Sequence, residues 1–414
     1  MLFRSSSATR SSKGAGKPSS AEGVVKTSSA EDTLSTFSPT AAALATEPVV
    51  KVRFERSESK IKLSGMGLRI KGQSSFFKND LAIQSFEFSY DSGAKRFLVV
   101  NQLGQIKIIN QRSVEIEGDG LVTYRHTLPP KILINETKSG LDLIGFVPLE
   151  NYILGVVASE VPKQWPLEVL KTQAVASRSY VLSLMKERSK QSFHVENSIL
   201  DQVFVLTKDG YKKSDFENVR LAVQSTKGQF LIGENRKILK AFFHSDCGGK
   251  TIASKDVWGT KEISSGVVCP NSRTTQWEYK TDIGSLSRKL SSYFKFPSSH
   301  TIRKISLERP SQKDRVIDLS VAFAEGEDPM NSKRLATRSL SAQDLRRVIG
   351  YSEIKSTLFE ILHTNEGITF KGKGYGHGVG LCQSGANFMA KAGKNYQQIL
   401  AYYYQGTSIS HFSW

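Results

Sequence analysis

From Val49 onward apolar and polar residues alternate in short runs: VKVRFE, KIKLSG, GLRIKG, RFLVV, GQIKII and SVEIEG. Period-two alternation broken by Gly and Asn predicts β-strands and hairpins, and the pattern lasts to about Ile144. It changes after Trp165. In PLEVLKTQAVASRSYVLSLMKER, Leu167, Leu170, Ala174, Ser177, Val181 and Leu184 fall on one stripe, the period of an amphipathic helix. Pro166 suits its first turn. Lys171 and Arg178 are two turns apart and are predicted to project from one side. GQFLIG and KILKAFFHS read as strands. Residues 270–365 alternate short strands with a helix near 341–349, behind a capping pattern from Ser339 to Asp344. NYQQILAYYYQGTSI reads as a last short helix ending at Gly406. Strands and helices are interspersed without a βαβ rhythm, so the predicted class is α+β, a β-rich lobe beside a helix-bearing lobe. No repeat of fixed period stands out.

The length of 414 residues suggests two or three domains. Residues 1–47 are rich in Ser, Thr, Ala and Lys and poor in large apolar groups. Such a segment buries too little surface to offset its ordering entropy and reads as a disordered leader or tether. Its start, MLFRSSSATRSSKGAGKPSS, shows no apolar core of a signal peptide. No run of about 18 apolar residues predicts a membrane span. Lys and Arg number 57 against 39 Asp and Glu, a net charge of +18. That balance suits an anionic partner such as nucleic acid, anionic lipid or an acidic wall polymer, or simply a solvated basic surface. The lack of a basic-aromatic repeat counts against nucleic acid, and none is expected as a partner.

Three clusters carry candidate chemistry. The first is GYGHGVGLCQSG, residues 374–385. It lacks the lysine of a phosphate loop and the strand-turn-helix setting of a dinucleotide site. His377 and Cys382 form a nucleophile pair only if the fold brings them together. Glycines at this density otherwise mark a turn that another backbone or a ligand approaches closely. The second is HSDCGGKT, where His244 and Cys247 are followed by Cys269. Those three are weak zinc candidates, one ligand short of a closed site. A Cys247–Cys269 disulfide in an exported protein and free thiols are the alternatives. The third runs from Val147 to Leu182 and holds Glu160 between the apolar run 153–158 and Val161, Pro162 and Trp165. A carboxyl beside apolar and aromatic groups has its charged form disfavoured, which suits a general acid near neutral pH. A Glu that merely stabilises the next helix's N-terminus is the alternative.

In this order, VPLENYILGVVASEVPKQWPLEVLKTQAVASRSYVL, FFHSDCGGKT with VWG, and GYGHGVGLCQSGANFMAKAGKNYQQILAYYYQGTSI resemble the stage II sporulation protein D family, the SpoIID/LytB domain. The β-rich run from VKVRFE to GLRIKG is similar to that family's N-terminal part, so the resemblance covers roughly residues 48–414. Beyond the leader read from composition over 1–47, it implies a β-rich region over 48–146 and a catalytic region over 147–414, with a glycan cleft between the lobes. It also implies an exported protein of the cell envelope, outside the cytoplasm, acting on peptidoglycan in sporulation or division. Such members are lytic transglycosylases that cut between N-acetylmuramic acid and N-acetylglucosamine and leave a 1,6-anhydro ring. Others modify a cell-wall amidase, or would only bind glycan. The family's catalytic acid maps onto Glu160. A lone carboxyl suffices where the muramic C6 hydroxyl is the nucleophile, whereas a glycoside hydrolase normally needs two. No cofactor is required for that chemistry. Glu150 and Glu168 read as exposed or helix-capping.

By the same resemblance Lys171, Gln173, Arg178 and Tyr180 line the cleft with His244, Ser245, Gly248, Gly249, His377 and Gln383, and Trp165, Trp258 or Tyr375 stack on sugar faces. The partners implied are peptidoglycan strands, with peptide-free strands the family expectation, and an amidase or hydrolase. The family's last motif is closer to G-W-G-H-G-x-G-x-S-Q-x-G-A. Tyr375, Cys382 and Ser384 depart from it, which argues against Cys382 as a nucleophile.

Overall fold

A computed structural model describes residues 46–73, 84–259, 266–271, 274–308, 315–324, 335–364 and 367–414. The leader expected over 1–47 lies outside these residues except for its last two positions. Of those, Glu47 accepts a 2.6 Å hydrogen bond from the Glu150 amide and so belongs to the folded part.

The alternating runs form β1 (Val49–Ser57), β2 (Lys60–Ile70), β3 (Gln84–Asp91), β4 (Arg96–Asn101), β5 (Ile106–Ile109), β6 (Ser113–Val122), β7 (Lys131–Thr137) and β8 (Gly140–Pro148). Alternate side chains are buried through β4 and through residues 50–54 of β1 and 132–134 of β7, as a sheet with one face on a core requires. The chain then enters α1 (Leu149–Glu160) and α2 (Leu167–Glu187). A two-residue strand, β9 (Val195–Glu196), closes the sheet in the order β5-β4-β3-β2-β6-β7-β8-β1-β9.

The helix after Trp165 exists as expected, but it is no amphipathic surface helix. Residues 172–184 of α2 are all buried. It packs against α1, against α3 (Glu217–Ser225) and against β10 (Gln229–Ile232). The reason is composition. Ala174, Ala176, Ser177 and Ser179 are small enough for neighbours on every side. Its hydroxyls bond back to the preceding turn, Thr172 to the Glu168 carbonyl at 2.7 Å and Ser179 to Val175 at 2.6 Å. Two apolar cores meet across it, one under the large sheet and one towards the C-terminus.

Next come β11 (Phe243–His244) and α4 (Ser254–Trp258). A module with its own core follows: β12 (Gln276–Thr281), α5 (Ile283–Phe294), β13 (Thr301–Leu307), β14 (Asp318–Ala324), β15 (Leu335–Ser341), α6 (Ala342–Ile349), β16 (Phe359–Thr364) and β17 (Gly367–Lys373). Its strands form two sheets, β12-β17-β16 and β13-β14-β15. The cap of α6 is Ser341, which accepts from the Asp344 amide at 3.0 Å. Ser339, expected in that role, lies in β15 and donates to Glu308 at 2.9 Å.

The chain returns from the module through the glycine stretch to β18 (Leu381–Cys382), which pairs in parallel with β11. It ends in α7 (Gln383–Lys391), α8 (Tyr396–Tyr403) and β19 (Ser408–His411). A capping box between Asn395 and Gln398 starts α8. The helix stops at Tyr403, short of Gly406, which turns the chain into β19 with φ of 71°. The class is α+β and strand-rich. Among the described residues no helix is long and apolar enough to cross a membrane.

Candidate active site

The glycine stretch explains how the site is assembled. Gly374, Gly376, Gly378 and Gly380 all have positive φ, at 82°, 117°, 82° and 71°. This left-handed backbone wraps along residues 242–247. A Cβ on Gly376 would sit 2.6 Å from the His244 Cβ, and one on Gly380 would sit 2.1 Å from the Phe242 carbonyl oxygen. Close backbone approach is therefore the reason for these glycines. Gly380→Ala is expected to destabilise the protein by about 2 kcal/mol or more, because left-handed strain alone costs about 1–3 kcal/mol and the clash adds to it. A thermal melt within 1 °C of wild type would contradict that expectation.

Glu160 is the last residue of α1. Val161 leaves the helix in an extended conformation, and the carboxyl faces a cavity of about 400 Å³. One oxygen, Oε1, accepts from the Val203 amide at 3.0 Å. Burial raises its pKa above the ordinary 4.5, and that one amide opposes the rise only in part. Trp258 and Tyr375 line the cavity, 37% and 41% exposed, so both rings are open to a ligand. Tyr180, Phe242, Phe243 and Tyr351 supply further aromatic surface, and Ser245 adds a hydroxyl.

His244 and His377 lie in the same cavity with ring centres 5.4 Å apart. The Val379 carbonyl can only accept, so His244 Nδ1, 3.1 Å away, donates to it and Nε2 carries the bare lone pair. That Nε2 is buried with no partner. His377 is oriented in reverse, its Nδ1 accepting from the Val379 amide at 3.0 Å. Burial drives the pKa of His377 down to about 3 and that of His244 well below its ordinary value, so both rings are neutral near pH 7. Neither then serves as a general acid.

A second carboxylate escaped the sequence reading. Asp201 lines the cavity. Arg188 grips it at 2.6 and 3.0 Å, the Glu196 amide donates to it at 2.8 Å, and the Tyr180 hydroxyl also bonds to it. Its oxygens are committed to structure. Gln343, Arg346 and Tyr351 were missed as well, because they come from α6 and the turn after it, within a segment that carries no recognisable motif.

The structure gathers Glu160, Tyr180, His244, Ser245, Trp258, Tyr375 and His377 in one cavity. Other expected site residues lie elsewhere. Trp165 packs against the two cores flanking α2 and does not line the cavity. Lys171 pairs with Glu168 at 2.8 Å. Gln173 and Gln383 are buried and bonded to each other at 3.2 Å. Arg178 is fully buried, and its Nε and Nη2 reach the two carboxylate oxygens of Glu150 at 2.9 and 2.6 Å. Glu150, expected to be exposed or helix-capping, is thus the counter-ion of an interior cation. Gly248 lines a neighbouring groove beside Trp277, and the Gly249 carbonyl accepts from the Cys269 amide at 2.9 Å. The cavity also lies elsewhere than expected. None of β1 to β8 lines it; its walls are the helical region and the module.

The three cysteines are free and buried, so no Cys247–Cys269 bridge forms. Donor atoms of His244, Cys247 and Cys382 lie within 4.8 Å of one another, a set that suits a soft ion such as zinc. Cys382 thus replaces Cys269 as the third donor expected beside His244 and Cys247. Cys269 stays hydrogen-bonded to both other thiols, which holds it well below the ordinary thiol range. All three are removed from solvent, which excludes Cys382 as an open nucleophile.

The sequence profile described as Stage II sporulation protein, SpoIID, matches residues 137–232, and a domain of unknown function, DUF8618, matches residues 260–380. The chain is 31% identical over 277 residues to Stage II sporulation protein D of Bacillus subtilis (strain 168), covering 64% of this chain and 75% of that protein. It is 31% identical over 273 residues to an uncharacterised protein of Brachyspira hyodysenteriae, covering 64% and 67%. It is 28% identical over 297 residues to the amidase enhancer of Bacillus subtilis (strain 168), covering 62% of this chain and 40% of that protein.

Proposed function

Because this chain belongs to the stage II sporulation protein D family, we propose that it is a lytic transglycosylase acting on peptidoglycan strands at the cell envelope, outside the cytoplasm. One observation carries the reading. Among the described residues the cavity holds one carboxyl whose protonated form is favoured by burial, Glu160, while the second carboxylate lining it, Asp201, is fully engaged. Inverting hydrolysis needs a second carboxylate free to activate water, and retaining hydrolysis needs one free to attack the sugar. Asp201 is free for neither.

In the first step Glu160 gives its proton to the oxygen between muramic C1 and the next sugar. The C1–O bond breaks, the electron pair leaves with that oxygen, and C1 becomes oxocarbenium-like. In the second step the C6 hydroxyl attacks C1. Its proton passes to the Glu160 carboxylate, which restores the acid. The neutral histidines orient the substrate, and Trp258 and Tyr375 give sugar rings a surface to stack on.

Purified full-length protein incubated with glycan strands is expected to release fragments ending in 1,6-anhydromuramic acid, read by mass spectrometry. Reducing ends in their place would assign hydrolysis and reverse the reading. Likeness to an amidase enhancer supplies the second reading. No cleavage, together with a raised amidase rate, would establish that one.

A further inference from the structure

Arg346 is buried, 4% exposed, yet lines the cavity that holds Glu160. Its guanidinium is fixed on three sides. Nε donates to the Ile354 carbonyl at 2.9 Å, Nη2 to Lys355 at 2.9 Å and Nη1 to Gln343 Oε1 at 3.0 Å. The Tyr351 ring lies 4.9 Å from its central carbon. No carboxylate among the described residues pairs with it. Guanidinium has five N–H donors, so one is left on each terminal nitrogen. The bond to Oε1 also fixes the Gln343 amide, whose Nε2 is buried without a partner. Burial lowers the Arg346 pKa to about 10, and it still carries its charge at neutral pH.

A buried cation with no counter-ion is costly to keep. Here it sits with two spare N–H groups and an unmatched amide donor on the wall of a ligand-sized cavity. Planar donors around a positive charge match the two oxygens of a carboxylate. The placement also protects the acid, since a cation against Glu160 would hold it ionised. Only burial and the Val203 amide act on that carboxyl, so a bound molecule can meet both groups without their opposing each other.

We propose that Arg346 and Gln343, supplied by the module, form a subsite for a carboxylate of the substrate, and so select acidic glycan over neutral glycan. The inference rests on the glycan reading above. Two sources present this chemistry: the lactyl group of a muramic residue without its peptide, and the carboxylates of an attached peptide.

The test is calorimetric titration of full-length Glu160→Gln protein, which cannot turn over. The probes are a glycan oligomer with free lactyl carboxylates, the same oligomer with them amidated, the oligomer bearing peptides, and a neutral N-acetylglucosamine oligomer. The free acid is expected to bind about tenfold or more tightly than its amide. Adding Arg346→Gln should reduce the acid to the level of the amide and leave the neutral oligomer unchanged. Gln343→Glu, which places a negative charge at the subsite, should do the same and keeps the test open if Arg346→Gln does not fold. Peptide-bearing oligomer binding as tightly as the free acid assigns the peptide carboxylates as the source. Equal binding of acid and amide overturns the subsite alone, and so does an equal loss for all oligomers on Arg346→Gln. Failure to bind any oligomer removes the glycan reading and the subsite with it.

Discussion

Glu160→Gln should abolish anhydro-ended products while leaving the protein folded and able to bind glycan. Gln keeps the size and the acceptor for the Val203 amide, and it removes only the proton. Loss of a positioned acid costs about 10²–10⁴-fold in rate. Stability should move the other way. Burial lifts the folded pKa above 4.5, so the stability linked to this group is fully present below the unfolded pKa. It declines as pH rises from there through the folded pKa. Gln does not titrate, so the variant should melt higher than wild type at pH 7, and the gap should close below about pH 4. The rate of cleavage should likewise persist to higher pH than an ordinary carboxyl acid would allow. A variant that melts lower at pH 7, or makes anhydro ends at close to the wild-type rate, would remove Glu160 from its role.

Arg178→Met should unfold the protein more readily by about 3–5 kcal/mol, read from the denaturant midpoint, because it leaves the Glu150 carboxylate without its counter-ion in a protein interior. It also removes the 2.9 Å hydrogen bond from Arg178 to the Gln229 carbonyl. Adding Glu150→Gln should recover part of the loss, since the stranded charge goes with it. Activity per folded molecule should change little. A cleft role, as the family resemblance implied, gives the reverse: normal stability with weakened binding. The two outcomes separate an interior strut from a substrate contact.

These residues show what was legible in the sequence. Strands such as β1, β2 and β4 could be read because one face of their sheet is buried, and that imposes alternation, whereas β8 is buried without a break over residues 141–145. The burial of Glu160 could be read because its apolar neighbours are close in sequence, although the aromatic residues lining its cavity, Tyr180, Phe242, Phe243, Trp258, Tyr351 and Tyr375, do not include Trp165. The surroundings of α2 could not. Its small residues let neighbours close on every side, so Lys171 and Arg178 have opposite fates despite their spacing. Gln173 and Gln383 belong together, but as buried partners. The cavity walls depend on the parallel pairing of β11 with β18, which brings His244 to Val379, 135 positions later. Local pattern says nothing about such a distant pairing. Arg346 and Gln343 lie in the helix expected near 341–349, and only the fold sets that helix against the cavity.

The most direct test of the central account is digestion of glycan strands in ¹⁸O-labelled water. Attack by the substrate's own C6 hydroxyl takes no oxygen from solvent, so the new muramic ends should be anhydro and unlabelled. New ends carrying one solvent oxygen would mean that water is the nucleophile, and would contradict a single-acid transglycosylase at Glu160.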